Sequence, residues 1–174
     1  MPAALRYAPL LRELDGIQPV VKDLEVYSQD APPPDYSIDH EVEGVSRAAD
    51  AAGLDRFHIY GHSAGGAIAL AYVARHPERV LSLAIDEPAT DFSDADKAIL
   101  KADLDRIAAM PAPDPMRAFM QMQLAPGVDL PAPPPGPAPG WMALRPAGIA
   151  AFTAALMRHT LAPGTLSEFL GPVY

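Results

Sequence analysis

Cysteine is absent from the 174 residues. That excludes a disulfide framework, a thiolate nucleophile and any cysteine-ligated metal. Positive charge is scarce as well: 13 Lys and Arg stand against 22 Asp and Glu, giving a net charge of −9 and a pI near 4.8. Nucleic acid needs a basic face, so it is not expected as a partner, and an anionic membrane surface is disfavoured too. In most globular chains such acidity serves solubility. No uncharged run reaches the ~18 apolar residues of a membrane span. The opening residues, Met1-Pro2-Ala3-Ala4-Leu5-Arg6-Tyr7, lack the basic-then-apolar pattern of a secretory leader. No His pair at helical spacing accompanies a carboxylate, so no metal centre is expected. The expectation is a cytoplasmic chain without cofactor or metal, long enough for one domain with a real core.

Proline, by contrast, is abundant: 21 residues, more than twice the ~5% of an average chain. Many lie in Pro32-Pro33-Pro34 and between Pro111 and Pro146. The stretch Pro131 to Gly140 reads as a polyproline-like connector.

The first half alternates helix and strand signals. Leu10, Leu11 and Leu14 have helical spacing, with Gly16 as a stop. Gln18 to Lys22, around Val20-Val21, is a short strand candidate. Ile38, Val42, Val45, Ala49 and Ala52 share one helical face, with Ser37 as N-cap and Gly53 as C-terminal stop. Arg56 to Tyr60 and Leu81 to Ile85 are strands flanking a small-residue helix over Ala67 to Arg75. Strand, helix and strand at this spacing imply a right-handed crossover and a parallel sheet. The second half carries helices only. Ser93 and Asp96 form a capping box ahead of Ile99, Leu100, Leu104 and Ile107. Pro115 opens a Met-rich helix, and Pro146 another bearing Ile149, Phe152 and Leu156. Gly171 to Tyr174 begins a strand.

Chemistry is carried by Ile59-Tyr60-Gly61-His62-Ser63-Ala64-Gly65-Gly66. Serine at neutral pH needs a base to take its proton and donors to hold the developing oxyanion. A G-x-S-x-G turn between strand and helix places the serine, here Ser63, on a sharp bend. Gly61 and Gly65 stand where side chains would clash with the neighbouring strand and helix, and the Ala64 N–H becomes an oxyanion donor. The helix N-terminus adds a favourable dipole. The bland alternative is a Gly-rich turn with an idle serine.

Together with Asp35-Tyr36-Ser37, Leu54 to Tyr60, and Ala74-Arg75-His76-Pro77-Glu78-Arg79-Val80, this run resembles the central segment of α/β-hydrolase-fold enzymes over roughly residues 5 to 90. The resemblance implies an α/β chain with a partial α/β-hydrolase fold: a parallel sheet of three to four strands, helices on both faces and a helical cap. It implies a core segment over 1–90, a cap with its Pro-rich connector over 91–168, and a further core strand starting at 169–174. It implies an esterase-like serine hydrolase with an acyl-enzyme on Ser63, acting on a small apolar substrate. A non-hydrolytic relative would use the same elbow.

The family's triad runs serine, acid, histidine. By resemblance, the strand and loop giving the second oxyanion donor lie before Met1, and the acid loop, final strand and histidine lie after Tyr174. The expectation is therefore a chain shortened at both ends, whose exposed sheet edges favour homo-oligomers. Within the chain, Asp86 and Glu87 close the strand beside the elbow and are candidate acids, or solvated strand-end carboxylates. Asp91, Asp94 and Asp96 read as helix-capping carboxylates. His62 adjoins the nucleophile and is expected to point elsewhere. His58 reads as a sheet residue, His76 as structural and His40 as solvated. His159, after the last helix, is the candidate base. Absent a base, the chain would be an inactive hydrolase-like fragment or a binding protein.

Overall fold

The computed structural model describes residues 1–174 apart from Asp91, Ala112, Pro113, Pro133, Pro134 and Pro163, and the side chains of Asp114 and Pro115. Two proline-connector positions, Pro133 and Pro134, and the carboxylate of Asp91 thus lie outside the described residues. The chain divides into two compact units, Met1–Asp91 with Ala147–Tyr174, and Phe92–Pro146.

The first unit opens with two short helices, α1 (Ala3–Arg6) and α2 (Ala8–Glu13). The run to residue 37 contains one 3₁₀ turn, Glu25–Tyr27. Helix α3 follows (Ile38–Ala51), then strand β1 (Phe57–His62), helix α4 (Ala64–Arg75) and strand β2 (Val80–Asp86). β1 and β2 are parallel and in register from His58–Ser82 to His62–Asp86, with an irregularity at Phe57. Along the other edge of β2, the Leu83 and Ile85 N–H groups donate to the Pro172 and Tyr174 carbonyls, both at 3.0 Å, and the Tyr174 N–H returns to the Leu83 carbonyl at 2.9 Å. The last three residues thus form a short third row of the parallel sheet, with Val173 beside Leu83.

The strand expected at Gln18–Lys22 does not form. Val20 and Val21 are exposed, at 45% and 38%, and no described chain segment pairs with them. A strand exists through the partner that completes its hydrogen bonds, and two adjacent valines cannot supply one.

Helix α4 is apolar on every side, and Gly66 to Val73 are all buried. A helix of this composition belongs inside a layered structure, and α4 packs against both strands and α3. Helix α3 turns Ile38, Val42 and Ala49 inward; Val45 is half-buried and Ala52 exposed. Its N-terminus carries a capping box in which His40 plays the part usually taken by glutamate. The Ser37 N–H donates to His40 Nδ1 at 3.2 Å, and the imidazole stacks on Tyr36. His40 is thus a capping residue that also stays partly exposed to solvent.

Glu41, on the same helix, is only 1% exposed. It accepts hydrogen bonds from the Glu25 and Val26 N–H groups at 2.9 and 3.1 Å and from the Tyr36 hydroxyl at 2.5 Å. A buried carboxylate is tolerated when its lone pairs are met in this way. Burial, and then the neighbouring Glu41 charge, push the Tyr36 phenol far above its ordinary value, so it remains a donor.

Helix α7 (Arg145–Arg158) buries Gly148, Phe152, Ala155 and Leu156. The Tyr27 ring lies on Gly148, where a β-carbon would be 2.7 Å from Cζ, and Arg158 donates to the Tyr36 carbonyl at 3.3 Å. From Ala147 onward this helix belongs to the first unit, whereas the sequence groups it with the 91–168 segment. The glycine explains the difference: it brings the helix backbone against an aromatic ring of the first unit.

The second unit holds α5 (Asp94–Ala108) and α6 (Asp114–Gln121) and ends in a 3₁₀ turn over Gly140–Leu144. Ser93 caps α5: its Oγ accepts the Asp96 N–H at 3.1 Å, and Asp96 accepts the Ser93 N–H at 3.2 Å. No helix among the described residues is long and apolar enough to cross a membrane.

Candidate active site

The carboxyl ends of β1 and β2 converge at Ser63, which links β1 to α4. Its backbone has φ 51° and ψ −115°. Ser63 and Glu87 (φ 46°) are the non-glycine residues with positive φ among those described. Such a conformation costs on the order of 1–3 kcal/mol and persists only where the surroundings impose it. They do so at Ser63. Its N–H donates to the Asp86 carbonyl at 2.9 Å, and its own carbonyl accepts the Ala89 and Ala67 N–H groups at 3.0 and 3.1 Å. The bend is held from the strand, the helix and the loop after β2 together.

The glycines divide unequally. A β-carbon on Gly61 would strike the Gly65 carbonyl and lie 2.7 Å from the Gly66 nitrogen, while one on Gly66 would lie 2.9 Å from Pro88 Cα. Both are backbone collisions that no rotamer change relieves. Gly65 differs. Among the described residues beyond its chain neighbours and its own helix backbone, its β-carbon would meet only the Tyr7 hydroxyl, 3.7 Å away. The steric demand expected at Gly65 therefore falls on Gly66, a position the elbow signature leaves open.

Ala64 opens α4, and its N–H has no acceptor within the helix, as for every first-turn amide; no described backbone carbonyl takes it either. Asp86 and Glu87 approach a histidine, but it is His62: Nε2 lies 3.8 Å from Asp86 Oδ2 and 4.0 Å from Glu87 Oε2. The Arg6 guanidinium also reaches this ring, 3.1 Å from Nε2. On the same sheet face, burial first, then the Asp86 carboxylate and the Tyr7 phenol, lift the Tyr60 phenol above its ordinary value, while Arg6 opposes them. The Tyr7 and Tyr60 rings meet edge to face, 5.6 Å apart. Arg6, Tyr7 and Tyr60 lie outside the G-x-S-x-G motif of the sequence. Only the alternation Tyr60, His62 along β1 hints that two of the polar groups share a face.

His159 stands elsewhere. Burial, and then the Arg75 cation, lower its pKa, with Asp39 opposing; both neighbours mark the C-terminal end of α4. At 1.5 Å per residue, the length of α4 puts that end roughly 17 Å from Ser63. Its Nε2 is buried without a hydrogen-bond partner. His159 therefore does not serve as base for Ser63 in this arrangement. The remaining rings are engaged away from Ser63: His58 with Ser82 Oγ at 2.6 Å, His76 with Glu78 and Tyr72, and His40 in its cap. Among the described residues no group of three or more His, Asp or Glu could hold a metal ion.

Relatives agree with this architecture. Residues 26–125 match the family pattern described as alpha/beta hydrolase fold. A protein from Caulobacter segnis named as a carbamate hydrolase, RutD, is 39% identical over 54 residues, which are 31% of this chain and 20% of that protein. Lipase 1 of Psychrobacter immobilis is 31% identical over 80 residues, 44% of this chain and 25% of the lipase. The matched segments thus span a quarter or less of these two relatives. Among solved structures, a bacterial membrane phospholipase A is 29% identical with a TM-score of 0.52, over 79% of this chain and 46% of its own. A hydrolase from Pseudomonas aeruginosa shares the fold at 19% identity and a TM-score of 0.59, over 82% of this chain and 54% of its own. The strained serine between a parallel strand and a buried helix, together with a family match over more than half its length, establishes that this chain belongs to the α/β-hydrolase fold family.

Proposed function

We propose that this chain carries the nucleophilic centre of an esterase-like serine hydrolase, with Ser63 forming an acyl-enzyme. One observation carries the reading: a serine rather than a glycine occupies a positive-φ bend that three backbone hydrogen bonds enforce. Such a bend between strand and helix suits a serine whose Oγ attacks an acyl carbonyl beside the first amide of the helix. Relatives named as a carbamate hydrolase and a lipase support chemistry at such a carbonyl. The substrate is read as a small apolar ester. The net negative charge disfavours nucleic acid and an anionic membrane surface as partners, a cytoplasmic location is part of the same proposal, and the sheet edges favour homo-oligomers.

A second reading follows from the histidines. None hydrogen-bonds Ser63 among the described residues, and a serine without a base loses several orders of magnitude in rate. The chain is then a hydrolase-like binding protein. A fluorophosphonate probe separates the two. Stoichiometric labelling that disappears in Ser63→Ala supports the enzyme; no labelling of the wild-type chain refutes the nucleophile and leaves the binding protein.

A further inference from the structure

The Ala64 N–H is one oxyanion donor, and a single donor leaves much of the developing charge unmet. We propose that the Tyr7 hydroxyl is a further donor to the same oxyanion. This rests on reading Ser63 as the nucleophile.

The argument begins at Gly65. A helical Cα–Cβ bond tilts toward the helix N-terminus, so the space over Gly65 is the space above the first turn of α4, on the Ser63 side. Among the described residues, and apart from its chain neighbours and its own helix backbone, the Tyr7 Oη is the one atom within 4 Å of that β-carbon position, at 3.7 Å. It makes no hydrogen bond to any described residue, so its proton is free for a ligand there. The ring is held in place. The Tyr7 N–H donates to the Ala3 carbonyl and its carbonyl accepts the Leu11 N–H, both at 2.9 Å, while Tyr60 packs against it edge-on. The Ala3 N–H is in turn anchored by Asp23 Oδ1. A donor fixed before the reaction needs no reorganisation during it. The other polar side chains nearby are occupied: Arg6 lies on His62, and His62 faces Asp86 and Glu87.

In the step, Ser63 Oγ bonds to the acyl carbon, its proton passes to water or a buffer base, and the carbonyl π pair moves onto oxygen. The Ala64 N–H and Tyr7 O–H each donate a hydrogen bond to that oxyanion and keep their protons. When the carbonyl reforms, the leaving group departs with its bonding pair. With a fluorophosphonate the same attack forms P–O and breaks P–F, and fluoride leaves.

Two measurements test this. Tyr7→Phe removes only the hydroxyl, so the labelling rate falls ~10²–10³-fold while the melting temperature holds. The second needs no nucleophile. In Ser63→Ala, butyrate is titrated while the Ala64 amide is followed by isotope-labelled NMR. The amide resonance saturates, and adding Tyr7→Phe weakens butyrate binding at least ~5-fold. Equal labelling rates in chains that do take the label, equal butyrate affinities, or an Ala64 amide that ignores butyrate each overturn the proposal. A wild-type chain that binds butyrate through Tyr7 but takes no label refutes the nucleophile while the Tyr7 donor stands.

Discussion

The two units are held by different kinds of interaction. In the first, order comes from residues far apart in the chain: Tyr72, Val73 and Leu83 are wholly buried, and the C-terminal three residues close the sheet against β2. In the second, Ile107 is the one buried residue among those described, and the visible bonds are local. Ser93 caps α5, Lys101 meets Asp105 at 2.6 Å one turn on, and Arg106 meets Asp103 at 3.1 Å. Arg117 and Gln121 on α6 tie down the carbonyls of Val128, Leu130 and Pro131. Exposed pairs of this kind contribute only a few tenths of a kcal/mol each. The contrast teaches that the elbow rests on a cooperative core, whereas the second unit can change its surface without disturbing its own helices.

The sharpest way to break this comparison is to remove equivalent apolar groups from each side. Leu83→Ala leaves a cavity in a fully buried position and is expected to cost about 3–5 kcal/mol in urea unfolding. Ile99→Ala, at 63% exposure, should stay within about 0.5 kcal/mol. Equal costs would dissolve the distinction.

A smaller effect is expected from Ser93→Ala, which deletes the α5 cap. Its cost is about 1 kcal/mol, seen as faster amide exchange in the first turn of α5. Amides of β1 and β2 should keep their protection. If those amides also lose protection, the second unit is not locally held.

The smallest effect concerns pH. His159 is disfavoured as a cation in the folded chain. As pH falls below about 6.5, the unfolded chain takes up this proton first and the folded chain only at lower pH. Stability from this site is thus present above about pH 6.5 and declines through the folded value. Denaturation midpoints across that window should fall more steeply for the wild-type chain than for His159→Asn; parallel profiles would place the ring in solvent.

How far the fold is legible in the sequence follows from the range of the interactions. The elbow, its two strands and both helix caps are visible because each is a pattern within a few residues. The absent strand at Gln18–Lys22 and the short row at Pro172–Tyr174 differ in pairing, which no local composition encodes. Asp86 and Glu87 are readable as strand-end carboxylates, but their histidine is not. Strand register puts His62 beside them, whereas His159 sits by the far end of α4, a placement fixed by how α7 packs. Gly65 and Gly66 look alike in the motif. Only Pro88, brought back by the turn after β2, makes Gly66 the tighter of the two.

The bend at Ser63 has a last consequence. At φ 51° glycine would be the easier residue, because it lacks the β-carbon that makes this region unfavourable. A chain shaped by folding alone would drift toward glycine there and become sturdier and chemically mute. On the proposal that Ser63 is the nucleophile, serine in that place marks a compromise between durability and reactivity, written in one backbone angle.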